Sequence, residues 1–161
     1  MTVWIVRGGL EGRFEHQFVD KSVVALAWET VPDYSRFHDR EALKDWYRGF
    51  FPGAKEETIA NHVGQLYAFL NTASIRDLVV LPFKNRDAVA IGEITGDYVY
   101  NPDLIIDAPH VRTVLWLRTG ISRTRFDTDL RRALAARMTF SQSRVPDAER
   151  RFRMLANPPT T

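Results

Sequence analysis

Apolar positions in this chain follow two rhythms, a near-continuous one in short β-branched runs and a helical one of three and four. The run Leu78 to Leu81 stops at Pro82-Phe83-Lys84-Asn85-Arg86, where a proline that cannot donate to a ladder precedes an Asn-Arg-Asp tip suited to a turn. Val89 to Thr95 then resumes as a strand whose unbroken apolar character up to Gly92 predicts cover on both faces, with Gly92 leaving room for a bulge or a close approach. A hairpin follows from this pairing. Further strands are predicted at Val3 to Arg7, at Val23 to Trp28 (VVALAW) and at His110 to Leu117, where Val111, Thr113, Leu115 and Leu117 alternate with Arg112, Val114 and Trp116.

The helical rhythm supplies the remaining elements. Phe14 and Phe18 lie four apart in a short helix, and Asp39 caps a helix to Phe51 whose stripe is Leu43, Trp46, Tyr47 and Phe50, stopped by Pro52-Gly53. Glu56 to Thr72 reads as a longer helix with Ile59, Val63, Leu66, Tyr67 and Leu70 on one side and Asn61 and Gln65 on a polar face, open to solvent, to a ligand or to a neighbouring loop. Asp127 to Met138 is a basic helix with acids in its first turn, and VPDAERRFRMLANPPTT ends the chain as a short basic helix and a proline-rich tail. Together these elements predict an α+β fold with a small β-barrel built around the hairpin.

Composition narrows the setting. At 161 residues with 45% hydrophobic and 26% charged positions, the chain suits one globular domain with a core of its own. No apolar run approaches the length of a membrane helix and no signal-peptide pattern opens the sequence, so a cytoplasmic protein without a membrane partner is expected. The absence of cysteine removes disulfides and thiol chemistry. The net charge of +2 conceals an asymmetry: residues 1–106 hold 11 Lys/Arg against 15 Asp/Glu, and residues 107–161 hold 11 Arg against 5 acids. An arginine excess of that kind fits a polyanion as well as a solvated helix face.

Candidate chemistry is sparse. Arg7-Gly8-Gly9-Leu10-Glu11-Gly12 joins a strand to a helix, but a dinucleotide fingerprint needs glycine at position 7, and the helix is too short for a crossover. What remains is either a flexible turn or a backbone left bare for a ligand. His16, His38, His62 and His110 each stand without a second metal ligand at useful spacing, and no nucleophile elbow, phosphate loop or zinc-protease motif occurs. Glu41 and Lys44 fall on an amphipathic helix, and Glu93 and Asp97 have no lysine nearby in sequence, so no nuclease centre is read either. The chain reads as a binding protein, not an enzyme, with no cofactor.

The stretches WIVRGG (4–9), VVALAW (23–28), DYS (33–35), NHVGQLYAFLN (61–71), DLVVLPFK (77–84), AIGEITGDYVY (90–100) and HVRTVLWL (110–117) resemble, in this order, the PUA-like domain related to EVE and YTH domains that opens many Mrr-type restriction endonucleases. The resemblance implies a small mixed β-barrel of the PUA-like/EVE type, flanked by helices, that holds a modified base in an aromatic-lined pocket, often after flipping it from duplex DNA. It places Arg7 and Gly8, Trp28, the loop Asp33, Tyr34 and Ser35, and the strand end Phe83 and Lys84 around that pocket. Trp28, Tyr34 and Phe83 are then its walls and Asp33 the acceptor for an exocyclic amine, with Arg112, Arg118, Arg123 and Arg125 on the flanking phosphates. The W-x-G-V-R-N segment of typical EVE domains is missing.

Base extrusion costs a few kcal/mol, and an aromatic wall returns about 1 to 3 kcal/mol by stacking. A methyl group adds less than about 1 kcal/mol, so discrimination asks for a close-fitting cage. The function expected is the specificity module of a modification-dependent restriction system. Residues 1–140 would form the base-binding domain, and 141–161 a basic helix and linker-like tail toward a fused nuclease. Double-stranded DNA is the expected partner. The rival expectations are a nucleotide or small-molecule sensor that controls an attached effector, and a protein-interaction domain with a vestigial pocket.

Overall fold

The computed structural model describes residues 1–27, 32–37 and 39–157, so Trp28 and His38 lie outside the described residues. In chain order the elements are β1 (Val3–Val6), α1 (Glu15–Lys21), β2 (Val23–Leu26), α2 (Arg40–Phe50), α3 (Glu56–Tyr67), β3 (Leu78–Pro82), β4 (Val89–Ile94), β5 (Val99–Tyr100), β6 (His110–Ile121), α4 (Thr128–Leu134), β7 (Phe140–Gln142) and α5 (Ala148–Ala156). The architecture is mixed α+β, a curled half-barrel sheet with five α-helices among the described residues.

The continuous apolar runs have a direct physical cause, since both faces of the central strands are covered. Val3, Ile5, Leu78 and Val80 pack on Leu130 of α4 and Phe152 of α5. Trp4, Val6, Val79 and Leu81 point the other way, into a larger core with Phe18, Leu43, Val63 and Phe69. Helices α4 and α5 therefore back one face, while α1, α2 and α3 fill the other.

The strand order is β2-β6-β4-β3-β1-β7, with β5 also on β6. The predicted hairpin is β3–β4, in register from Leu78↔Glu93 to Pro82↔Val89, and β1 joins β3 in parallel. The curl comes from β6, whose first residues pair with β2 and β5 while Val114 to Ile121 pair with β4. Register shifts fall between Val89 and Gly92 of that ladder. Gly92 is needed there, because a Cβ would stand 2.5 Å from Val114 Cγ1 and 2.8 Å from Trp116.

Several sequence expectations change in detail. Asp39 does cap α2, accepting from Ala42 N at 2.8 Å, but Phe50 of the predicted stripe is 49% exposed. The helix expected to reach Thr72 ends as α3 at Tyr67 and continues as a π turn, Ala68–Thr72. Gln65 belongs to the interior: its Oε1 accepts from Thr139 N at 2.9 Å and Phe140 N at 3.2 Å, which fixes the entry to β7. The boundary expected at residue 140 does not divide the fold. β7 pairs with β1 across that position, and α5 buries Phe152 and Ala156 against the sheet.

Candidate binding cleft

The two end strands of the sheet, β2 and β7, are not paired with each other among the described residues, and the chain that spans the gap is the glycine-rich stretch after β1. Its shape is locked by backbone and by one carboxylate. Gly9 (φ 83°), Glu11 (φ 55°) and Gly12 (φ 72°) all take positive φ, while Gly12 N donates to Gly9 O at 3.0 Å and Phe14 N to Gly8 O at 2.7 Å. Glu15 lies beneath, buried, where a Cβ on Gly8 would meet its Cγ at 2.5 Å and one on Gly12 its carboxylate at 2.6 Å. Glu15 Oε2 accepts from Lys84 N at 2.9 Å, and Asn85 Nδ2 donates to Glu11 O at 3.3 Å, so the loop is stitched to the tip of the β3–β4 hairpin. Burial pushes the Glu15 carboxyl up from its ordinary value, against the smaller opposing effect of the Lys84 amide.

Beside this loop opens a cleft of about 790 Å³. Ala25 and Ala27 of the β2 end form one side, Arg7, Arg137 and Thr139 the side toward β7, and Gly9, Leu10, Glu11, Phe14 and Lys84 the rest. Arg7 is held by α4: Nε donates to Ala136 O at 2.8 Å, and Nη2 donates to the same oxygen and to Leu134 O at 3.3 Å, which satisfies carbonyls at the helix C-terminus. Burial and, after it, the nearby Arg123 charge lower the Arg7 pKa. Its Nη1, the Lys84 ammonium and the Arg137 guanidinium have no protein partner among the described residues. The cleft thus combines an apolar floor, three cations with donors to spare and one carboxylate, Glu11.

The residues predicted for the pocket divide sharply. Arg7 and Lys84 meet in the cleft. Gly8 does not face it, being packed on Glu15, and Gly9 is the glycine that lines it. Trp28 lies outside the described residues, although Ala27, which precedes it, is a lining residue. Phe83 is buried with the Arg86 guanidinium 4.3 Å over its ring and is no wall of the cleft. Asp33 spends Oδ1 on Ser35 N at 3.0 Å and Ser35 Oγ at 2.8 Å, capping the 3-10 turn Tyr34–Arg36. Ser35 is exposed on that turn and also lies away from the cleft. Tyr34 is wholly buried, stacked on His110 at 4.1 Å and 5°, so its ring is a core element instead of an open platform.

The phosphate set needs correction as well. Arg112 is 2% exposed and inside the sheet's concavity, donating from Nε to Gly96 O at 2.8 Å and from Nη1 to Phe69 O and Ala73 O at 2.9 Å each. Burial lowers its pKa, and no external phosphate reaches it in this arrangement. Arg118 donates to Leu155 O at 3.0 Å near the end of α5. Arg123 fastens the hairpin tip, donating to Arg86 O at 2.8 Å and Phe83 O at 2.5 Å. Arg125 is exposed, in a separate groove with Arg150, Arg151 and Met154. Sequence reasoning missed Arg137, Glu11 and Phe14 as cleft residues. The signal for Glu11 and Phe14 was their place beside the glycines, whereas nothing local marked Arg137.

Among the described residues no cluster of His, Asp or Glu suits a metal ion, and no helix is long and apolar enough to cross a membrane. Residues 4–141 match the domain of unknown function DUF8426, and the chain belongs to that family. No curated protein matches it.

Proposed function

We propose that this DUF8426 domain is a cytoplasmic binding module that takes a modified base of DNA into the cleft at the sheet seam, as the specificity part of a modification-dependent restriction system with a nuclease partner. The observation that carries the reading is the pairing, in one cleft, of an apolar floor with Lys84, Arg137 and the Nη1 of Arg7, none of which meets a protein acceptor among the described residues. Its volume of about 790 Å³ is that of a small-molecule pocket and exceeds the needs of a single base. The base would lie against Phe14, Ala25 and Ala27, with Glu11 accepting from an exocyclic amine in the role expected of Asp33. Lys84, Arg137 and the Nη1 of Arg7 would each meet one of the adjoining phosphates. The PUA-like type of barrel belongs to this proposal and rests on the sequence resemblance.

The test is fluorescence anisotropy at two salt concentrations with matched duplexes carrying cytosine, 5-methylcytosine, 5-hydroxymethylcytosine, N4-methylcytosine, adenine or N6-methyladenine. Preference for one modified duplex over its unmodified twin, with a log-log salt slope of about −2 to −3 for three phosphate contacts, is expected. Equal binding of all six, or none, overturns the reading. A free nucleotide is the second reading, favoured by the convergence of cations in one cleft while Arg112, Arg118 and Arg123 are committed elsewhere. It predicts that the mononucleotide alone competes as well as the duplex.

A further inference from the structure

Leu10 stands at the lip of the cleft, 80% exposed and absent from the hydrophobic residues packed on either core. An exposed leucine by itself is ordinary. This one is presented by a backbone that has little freedom to withdraw it. Gly9 and Glu11 on either side have φ of 83° and 55°, Arg13 N donates to Leu10 O at 3.2 Å, and Asn85 holds Glu11 O from the hairpin. Glu15 fills the space beneath Gly8 and Gly12. The side chain is therefore apolar, outward and rigidly mounted, and it borders the same cleft as Lys84 and Arg137.

A base that leaves a duplex for a pocket leaves a gap in the stack, and extrusion costs a few kcal/mol unless something occupies that gap. Apolar side chains such as leucine serve as wedges between base steps in other DNA complexes. Resting on the base-binding reading above, we propose that Leu10 is the wedge that enters the duplex and fills the place vacated by the base, while the cleft next to it takes the base itself. The glycine loop is then a mount for Leu10 as much as a wall of the pocket. Leu10 governs the cost of opening the duplex, and the cleft governs which base is kept.

The experiment compares wild type, Leu10→Ala and, as a control at another exposed leucine away from the cleft, Leu115→Ala, which is 57% exposed. Each is titrated with the preferred modified base in a fully paired duplex, opposite a mismatch and in a single strand. The expected result is a loss of about tenfold for Leu10→Ala on the paired duplex, a smaller loss on the mismatch and none on the single strand, with Leu115→Ala unchanged throughout. Equal affinity of Leu10→Ala and wild type for the paired duplex overturns the wedge and leaves the base pocket standing. An equal loss on all three substrates also overturns it, by making Leu10 a plain wall of the cleft. If wild type prefers no modified duplex, both the pocket reading and the wedge fall together.

Discussion

Arg112 and Arg7 occupy two regions of the same curled sheet, and they use the same chemistry to opposite ends. Around Arg112 the concavity is plugged: its guanidinium donates to Gly96, Phe69 and Ala73, and the neighbouring strand start carries His110, stacked on Tyr34 with Tyr98 packed against both rings. At the seam, Arg7 gives Nε and Nη2 to the end of α4, yet Nη1, Lys84 and Arg137 meet no acceptor among the described residues. A buried cation whose hydrogen bonds are all internal is a structural tie, because every unmet donor in a dry place is costly. Cations with spare donors around an open cleft instead mark where an anion can be received.

The largest expected effect breaks the plugged region. Arg112→Ala should leave carbonyls of Gly96, Phe69 and Ala73 without their donor and lower the unfolding free energy by about 3 to 5 kcal/mol, measured by urea denaturation. A loss below about 1 kcal/mol would show that water replaces the guanidinium there. At the seam the ordering is reversed. Lys84→Ala and Arg137→Ala should change stability by less than about 0.5 kcal/mol, since neither side chain has a protein partner among the described residues. Each should weaken duplex binding by severalfold, equally for modified and unmodified DNA, and reduce the salt slope by about one.

A subtler effect concerns Glu15. Burial raises its carboxyl pKa in the fold, so the folded state keeps a proton that the unfolded chain has already released. Wild-type stability should therefore fall as pH rises through the carboxylate range and stay lowered above it. Glu15→Gln retains an oxygen for the Lys84 amide and removes this titration, so its melting temperature relative to wild type should increase between about pH 4 and about pH 7. A constant difference across that range would contradict the burial of an ionised Glu15. The smallest effect belongs to Arg125→Ala, in the other groove, which should leave both stability and cleft binding unchanged.

What the sequence made legible follows from how local each cause is. The β3–β4 hairpin, the close approach at Gly92 and the Asp39 cap are where the pattern put them. The inward turn of Arg112 is not local. Alternation along β6 carries Leu115 to solvent and Arg112 to the interior, and the π turn after α3 together with Gly96 after β4 supplies the carbonyls that make this tolerable. Arg137 reached the cleft for a similar reason, since α4 and β7 fold back beside β1 and bring the residue between them to Arg7. Tyr34 and Asp33 received pocket roles only through the family resemblance, whereas here they serve a turn that closes over His110.

The central claim is that the seam between β2 and β7 is where ligand binds. Amide chemical-shift mapping of the isotope-labelled protein with the preferred modified duplex tests it most directly. The account predicts that the perturbed signals concentrate at Gly9, Leu10, Glu11, Lys84, Arg137 and Thr139, the lining of the cleft. Perturbations centred on Arg125, Arg150 and Met154, with the cleft silent, would contradict it and move the site to the other groove.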